Sequence, residues 1–318
     1  ARRASLCACN NSSSKSARVS GGNSAQVCAD KTIKLARSFA ERLPIGLLMI
    51  AGELDLSIGA TIPASSLTVA VISGHYGAPE PVGIAAALGL GLLVGWINGL
   101  LVNRTAMPSL IVTIGTLFGI MGLTLGFSVL LTGSTSTAVV PSDTAQALLG
   151  QFIGGMFQVT IFWWIAIAAG FIYLLHISPV GNWIYALGGD RISARNAGIP
   201  THGLTISLFV LSATSASFVG MCGAILFNSA QVSGGMNYIF NAIVAVVVGG
   251  VLLTGGFGSV LGIFVGTVTF AIVSQGIYFT AIDRNWSSLV IGVMLLLAVL
   301  MNNKFRQLAL RAAPVKNK

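Results

Sequence analysis

Glu53 and Asp55 stand two residues apart inside a largely apolar stretch, residues 45–76. Carboxylates in such a setting can exchange a proton, hold a ligand or cap a helix. A charge at the centre of a membrane helix costs at least about 2.5–3.5 kcal/mol, which makes both acids functional candidates by default. The run Ala51-Gly52-Glu53-Leu54-Asp55-Leu56-Ser57-Ile58-Gly59 also reads as a helix break. There Asp55 or Ser57 can cap a helix that starts near Leu56, satisfying its free N–H groups. Broken helices also mark substrate sites in transporters. Two readings of Glu53, Asp55 and Ser57 stay open: capping and packing, or direct contact with a substrate or gate.

A second polar stretch runs from Ala186 to Pro200. Asp190 can cap a short helix over Ser193–Ala197, and Gly198 can end it. On the inner face of a membrane such a helix is a docking element for a soluble partner; an ordinary basic loop is the other reading. A third stretch, Gly249 to Gly262, holds seven residues that are Gly or Ser and reads as a tight turn between helices.

Signals for catalysis are missing. The sequence has no Gly-x-x-x-x-Gly-Lys-Ser/Thr phosphate loop, no His-Glu-x-x-His zinc motif and no Gly-x-Ser-x-Gly nucleophile elbow. His75, His176 and His202 are isolated near the ends of apolar runs. Cys7, Cys9, Cys28 and Cys222 make neither a disulfide framework nor a metal cluster. No catalytic residue, metal or cofactor is expected. Uphill transport would draw its energy from an ion gradient or from another subunit.

The elements that must position these residues are membrane helices. The 318-residue chain is 54% hydrophobic and only 8% charged, whereas soluble domains are about 25% charged. So few charges cannot cover a water-soluble globule, and so much apolar residue excludes general disorder. Runs suited to a hydrocarbon core of about 30 Å lie near 82–103, 109–131, 157–176, 203–225, 240–256, 258–280 and 286–302, besides the interrupted 45–76. The expected fold is all-α: a polytopic membrane bundle of about eight to nine spans, with a broken or kinked helix near residues 52–57. Residues 1–44 form a polar, basic segment that reads as disordered or as a targeting segment, 45–303 the membrane domain, and 304–318 a basic cytoplasmic tail.

A net charge of +9 raises the question of nucleic acid, but the charge is placed as in a membrane protein: eight of the 17 basic residues lie in 1–42 and five in 304–318. If 1–44 is inside and 45–76 crosses once, Arg104, Arg191, Arg195 and the C-terminus all fall on the cytoplasmic side. Gly91, Gly95 and Gly99 repeat every fourth residue, as do Gly258, Gly262 and Gly266. Such rows let a neighbouring backbone approach closely.

Four stretches in order resemble the permease subunits of bacterial ATP-driven importers for monosaccharides, the ribose/xylose/galactose type. The family's Gly-Gly-Ile-Asp-Leu-Ser-Val-Gly element is matched by Ala51 to Gly59. Its Pro-Ser/Pro-Phe-Ile-Val-Thr-Leu-Gly-Thr element is matched by Pro108 to Thr116, its Gly-Gly-Asn-x-x-Ala-Ala-Arg-x-x-Gly-Ile loop by Gly188 to Ile199, and its Gly-rich turn by Gly249 to Gly262. Phe257 and Asn241 depart from a basic and an acidic residue common at those positions. The resemblance implies a transport subunit of the bacterial inner membrane. Its partners would be two cytoplasmic ATP-binding subunits, a second permease subunit and a periplasmic solute-binding protein. Gly188, Gly189, Asp190, Arg191, Ala194, Arg195 and Gly198 would form the loop that docks on the ATP-binding subunit. The cargo would be a small neutral sugar, with Asn98, Thr113, Asn228, Gln231 and Gln275 as possible lining. Alternatives are a permease for branched-chain amino acids or a furanose signal molecule, or an ion-coupled secondary transporter using Glu53 or Asp55.

Overall fold

A backbone in lipid must satisfy its own hydrogen bonds, so apolar runs of this length fold as helices. The computed structural model describes residues 42–105, 107–139, 149, 152–153, 157–277 and 286–312. Residues 1–41 with Cys7, Cys9 and Cys28, the Gln275 side chain, and the tail side chains lie outside the described residues. In chain order the helices are α1 (42–50), α2 (Ile58–Val69, extended by a π-helical turn to His75), α3 (Glu80–Thr105), α4 (Ser109–Thr132), α5 (Thr160–Ile172), α6 (Pro179–Gly189), α7 (Arg191–Asn196), α8 (Thr201–Phe227), α9 (Gly235–Val248), α10 (Val260–Ile277) and α11 (Ser287–Ala312).

Among the described residues four helices are long and apolar enough to cross a membrane: Ile58–His75, α3, α4 and α8. A fifth is formed if Ile165–Ile177 and α6 count as one span bent by 71°. The bend falls at Ser178, whose extended backbone (ψ 154°) is what a following proline favours. Shorter apolar helices lie within α9, α10 and α11. The all-α expectation misses two small ribbons. β1 (Ser136–Ala138) pairs antiparallel with β4 (Ser229–Gln231), and β2 (Phe152–Ile153) with β3 (Phe157–Gln158). Strands of two or three residues are too short to leave an alternating pattern in sequence.

The first glycine row, and Gly262 and Gly266 of the second, pack as backbone-to-backbone seams, whereas Gly258 lies before α10 and faces the Ile50 and Val251 side chains. A Cβ on Gly91, Gly95 or Gly99 of α3 would run into Ala213, Val210 or Ile206 of α8, so these helices lie antiparallel in close contact. Gly262 and Gly266 of α10 meet Gly249 and Ala245 at the end of α9 in the same way.

The direction of α1 corrects the topology. Arg42 donates to the Thr267 carbonyl at 3.4 Å, Gly46 faces Ile263, and the Ile50 carbonyl accepts from the Gly256 amide at 2.8 Å. Partner numbers fall as α1 advances, so α1 is antiparallel to α10. Along α2 they rise: Asp55 meets Ser212 of α8, and Ser66 donates to the Gly220 carbonyl further on. α8 and α10 both start at the rim that carries α7. The chain therefore descends in α1, reverses through residues 51–57 and ascends in α2. The stretch 45–76 thus contains a reversal between two helices, and within it Ile58–His75 is the part long and apolar enough to cross a membrane. The nine described residues of α1 span about 13 Å and run straight into the reversal, so hydropathy alone merges them with α2.

Candidate functional site

The amides of Ala51, Gly52 and Glu53 still bond back to α1 carbonyls, but beyond them residues 54–56 lie outside any helix, so their polar groups must find partners elsewhere. Gly52 turns the chain with φ +82°, a conformation that costs other residues more than glycine. Each following polar group then reaches a different element. Glu53 Oε1 accepts from Arg191 Nη1 of α7 at 2.9 Å. The Leu54 amide donates to Ser109 Oγ at the start of α4 (3.0 Å), and the Leu54 carbonyl accepts from Thr113 (3.3 Å). Asp55 Oδ1 accepts from the Ser57 amide (3.0 Å) and hydroxyl (2.6 Å), and Oδ2 accepts from Ser212 Oγ of α8 (3.0 Å). Ser57 Oγ in turn accepts from Asn98 Nδ2 of α3 at 2.7 Å. Asp55, Ser57, Asn98, Thr113 and Ser212 are all buried.

Asp55 closes a turn just ahead of α2 through the Ser57 amide, whereas Ser57 stands at the helix N-cap with no side-chain cap bond; the second Asp55 oxygen is spent on another helix. The carboxylate therefore joins α2 to α8 as well as ending the break. The two acids divide their roles: Asp55 faces the bundle interior, and Glu53 faces the loop.

The loop is folded around its own short helix. Asp190 accepts from the Ile192 and Ser193 amides, each at 3.2 Å, and from the Ser193 hydroxyl. These donors, the Ser193 hydroxyl foremost, hold the Asp190 carboxyl below its ordinary range. α7 thus begins at Arg191, two residues before its expected start. Gly198, at φ +83°, ends it, with the Ile199 amide returning to the Ala194 carbonyl at 3.1 Å. Ala194 is buried, while Arg195 is exposed and Ile192 is 73% exposed. Arg191 sits between: beyond Glu53, its Nη2 donates to Asn103 Oδ1 of α3 (2.6 Å) and Thr205 Oγ1 of α8 (3.3 Å).

The glycine-rich turn at 249–262 closes the same junction. A Cβ on Gly188 would overlap the Ile50 carbonyl oxygen, and one on Gly255 would sit 2.6 Å from Gly52 Cα. The three stretches singled out in the sequence therefore meet backbone to backbone at one rim. Asn228 and Gln231 lie elsewhere. Both are exposed at the opposite end of α8, where Asn228 ends the helix in a left-handed conformation and Gln231 pairs with Ser136. Sequence reasoning missed Asn103, Ser109, Thr205 and Ser212. Hydroxyls in helices commonly bond back to their own carbonyls, as Thr205 does to Thr201, so nothing in sequence marks their second partner. Among the described residues no group of His, Cys, Asp and Glu is arranged to hold a metal ion.

Comparison with known proteins decides the family. Residues 43–299 match the family described as branched-chain amino acid transport system / permease component. The chain belongs to this permease family. Relatives include the fructose import permease protein FrcC of Rhizobium meliloti, 29% identical over 83% of this chain and 74% of its own length. The ribose import permease protein RbsC of Escherichia coli K12 is 30% identical over 81% of this chain and 79% of its own. The autoinducer 2 import system permease protein LsrD of Klebsiella pneumoniae is 29% identical over 81% and 77%. No solved structure matches the chain. A permease of this family is a transport component and not an enzyme.

Proposed function

We propose that the chain is the membrane-spanning permease subunit of an ATP-driven importer that carries a small neutral sugar. Family membership and the names of the fructose and ribose import relatives support the class of cargo. The observation that carries the mechanism is the Arg191–Glu53 ion pair at 2.9 Å. It joins the candidate docking loop to the reversal at 51–57, a segment that touches α3, α4 and α8.

ATP-binding subunits dock on α7 from the cytoplasm, with Ile192 and Arg195 presented to them. Their closure pushes α7, and Arg191 passes the displacement to Glu53. The segment 53–57 then shifts against α4 through Leu54, α8 through Asp55 and α3 through Ser57. Packed helices respond to such a push as rigid bodies, which is how a bundle alternates between inward- and outward-open states. A periplasmic binding protein delivers the cargo, and a second permease subunit completes the pathway.

In this reading α1, α2, α3, α4, the α5–α6 pair, α8, α9, α10 and α11 serve as nine membrane segments, four or five of which are long and apolar enough to cross on their own. From the reversal onward eight passes return the C-terminus to the side of α7. Arg104, Arg191, Arg195 and the basic 304–318 tail then share the cytoplasmic face of the inner membrane, as the positive-inside rule favours. Residues 45–303 act as one permease domain.

Reconstitution with the partner subunits in liposomes tests the reading. Labelled ribose or fructose should accumulate only with ATP, the ATP-binding subunits and the binding protein present. Accumulation driven by a proton or sodium gradient without any ATP-binding subunit would overturn it.

A further inference from the structure

Between α2, α3 and α4 lies a groove of about 540 Å³, within the range of about 300–1,000 Å³ typical of small-molecule sites. Thr68, Asn98, Gly115, Thr116, Gly119 and Phe127 are among its lining residues. Apolar walls with a few placed polar groups are the usual construction of such sites.

The polar groups share one property. Thr68 donates to the Ala64 carbonyl (2.8 Å) and Thr116 to the Thr113 carbonyl (3.2 Å). Thr124, further up the same wall, donates to the Ile120 carbonyl at 2.6 Å. Each hydroxyl has spent its one hydrogen and has only lone pairs left. Asn98 is constrained in the same sense. The Ser57 hydroxyl hydrogen goes to Asp55, so Ser57 Oγ can only accept from Asn98, and Asn98 must turn its amide nitrogen there. That leaves Asn98 Oδ1 buried with no hydrogen-bond donor. A buried acceptor left unmatched is unfavourable, and a ligand donor relieves it.

We infer that this groove is the cargo subsite, and that it selects neutral polyhydroxy molecules because its polar lining is uncharged and rich in acceptors. The inference rests on the importer reading above. Cargo hydroxyls donate to Asn98 Oδ1 and to the threonine oxygens, while Phe127 offers an apolar face to the ring carbons. In the present conformation Asn98 Oδ1 is closed off; it opens to the groove when α4 parts from α3. An amino-acid zwitterion fits poorly, since its carboxylate would meet no cation in the lining. Asn98 also links the groove to the loop, through Ser57, Asp55 and the backbone to Glu53 and Arg191.

The test uses Thr116→Cys in the complete reconstituted importer, with the four native cysteines replaced by serine. Thr124→Cys serves in its place if the first variant does not transport. Maleimide labelling is followed with ribose, fructose or leucine added. At ten times the Kd, mass action leaves roughly one groove in eleven empty, so the transported sugar should slow labelling about tenfold. Leucine should leave the rate unchanged. Equal labelling with and without a sugar that the complex transports would overturn the groove assignment and leave the importer reading intact. Protection by leucine instead would overturn the acceptor argument. If the unmodified complex moves neither sugar with ATP, the importer reading fails and the cargo assignment with it.

Discussion

Arg191 and Glu53 are 138 residues apart in the chain and meet at 2.9 Å. One belongs to the loop at the membrane rim, the other to the segment where the chain turns back into the bundle. Arg191 is partly exposed, at 39% of its side chain, so the pair contributes little to stability; exposed pairs give about 0–1 kcal/mol. Its importance lies in position, because the same guanidinium also holds Asn103 of α3 and Thr205 of α8.

The junction beneath that pair makes a contrast between two adjacent glycines. Gly188→Ala should be poorly tolerated, since its methyl would overlap the Ile50 carbonyl, whereas Gly189→Ala has open space around its Cβ. Overpacking of this kind costs about 1–3 kcal/mol or more. Thermal unfolding in detergent should show a marked loss for the first and almost none for the second. Equal stability of the two variants would contradict the backbone contact.

Asp55 and Ser212 should behave as one unit. Asp55→Ala strands the Ser57 and Ser212 hydroxyls and should destabilise by about 1–3 kcal/mol for each buried group left unmatched. Ser212→Ala removes one of those groups. The double variant should therefore lose little more than Asp55→Ala alone. Additive losses in thermal unfolding would show that the two residues act separately.

The Asp190 cap gives the loop a pH dependence of known sign. Its carboxyl lies below the ordinary value of 3.8, chiefly through the Ser193 hydroxyl. A carboxyl that is more acidic folded than unfolded stabilises the folded form above the unfolded value, and that contribution fades as pH falls through the folded one. Amide exchange at Ile192 and Ser193, corrected for intrinsic rates, should quicken only below pH 3.8. Asp190→Asn should flatten the profile. A flat profile in the unaltered chain would contradict the cap.

Much of this site was legible in the sequence as parts, and little of it as an assembly. Glu53 and Asp55 announce themselves because acids are rare in apolar runs, and Gly188 to Ile199 because it interrupts them. The glycine rows on α3 and α10 predict close packing, since spacing by four leaves one face flat. What spacing cannot carry is pairing across the chain. Nothing near Glu53 names Arg191, and Ser109, Thr205 and Ser212 resemble any helical hydroxyl. Hydropathy merged α1 with α2 because it measures composition and has no sense of direction. Asn228 and Gln231 stand out in the sequence only for being polar, and they lie at the far end of α8 because helix ends are also where polar residues belong.

The central claim is that the loop drives the bundle through Arg191 and Glu53. The direct measurement is the number of sugar molecules imported per ATP hydrolysed, in reconstituted Arg191→Glu, Glu53→Arg and the double variant. Each single reversal places like charges together and should lower that ratio about tenfold, while the double swap should recover most of it. Single variants that import as efficiently as the unaltered chain, or a double variant no better than the singles, would contradict the account.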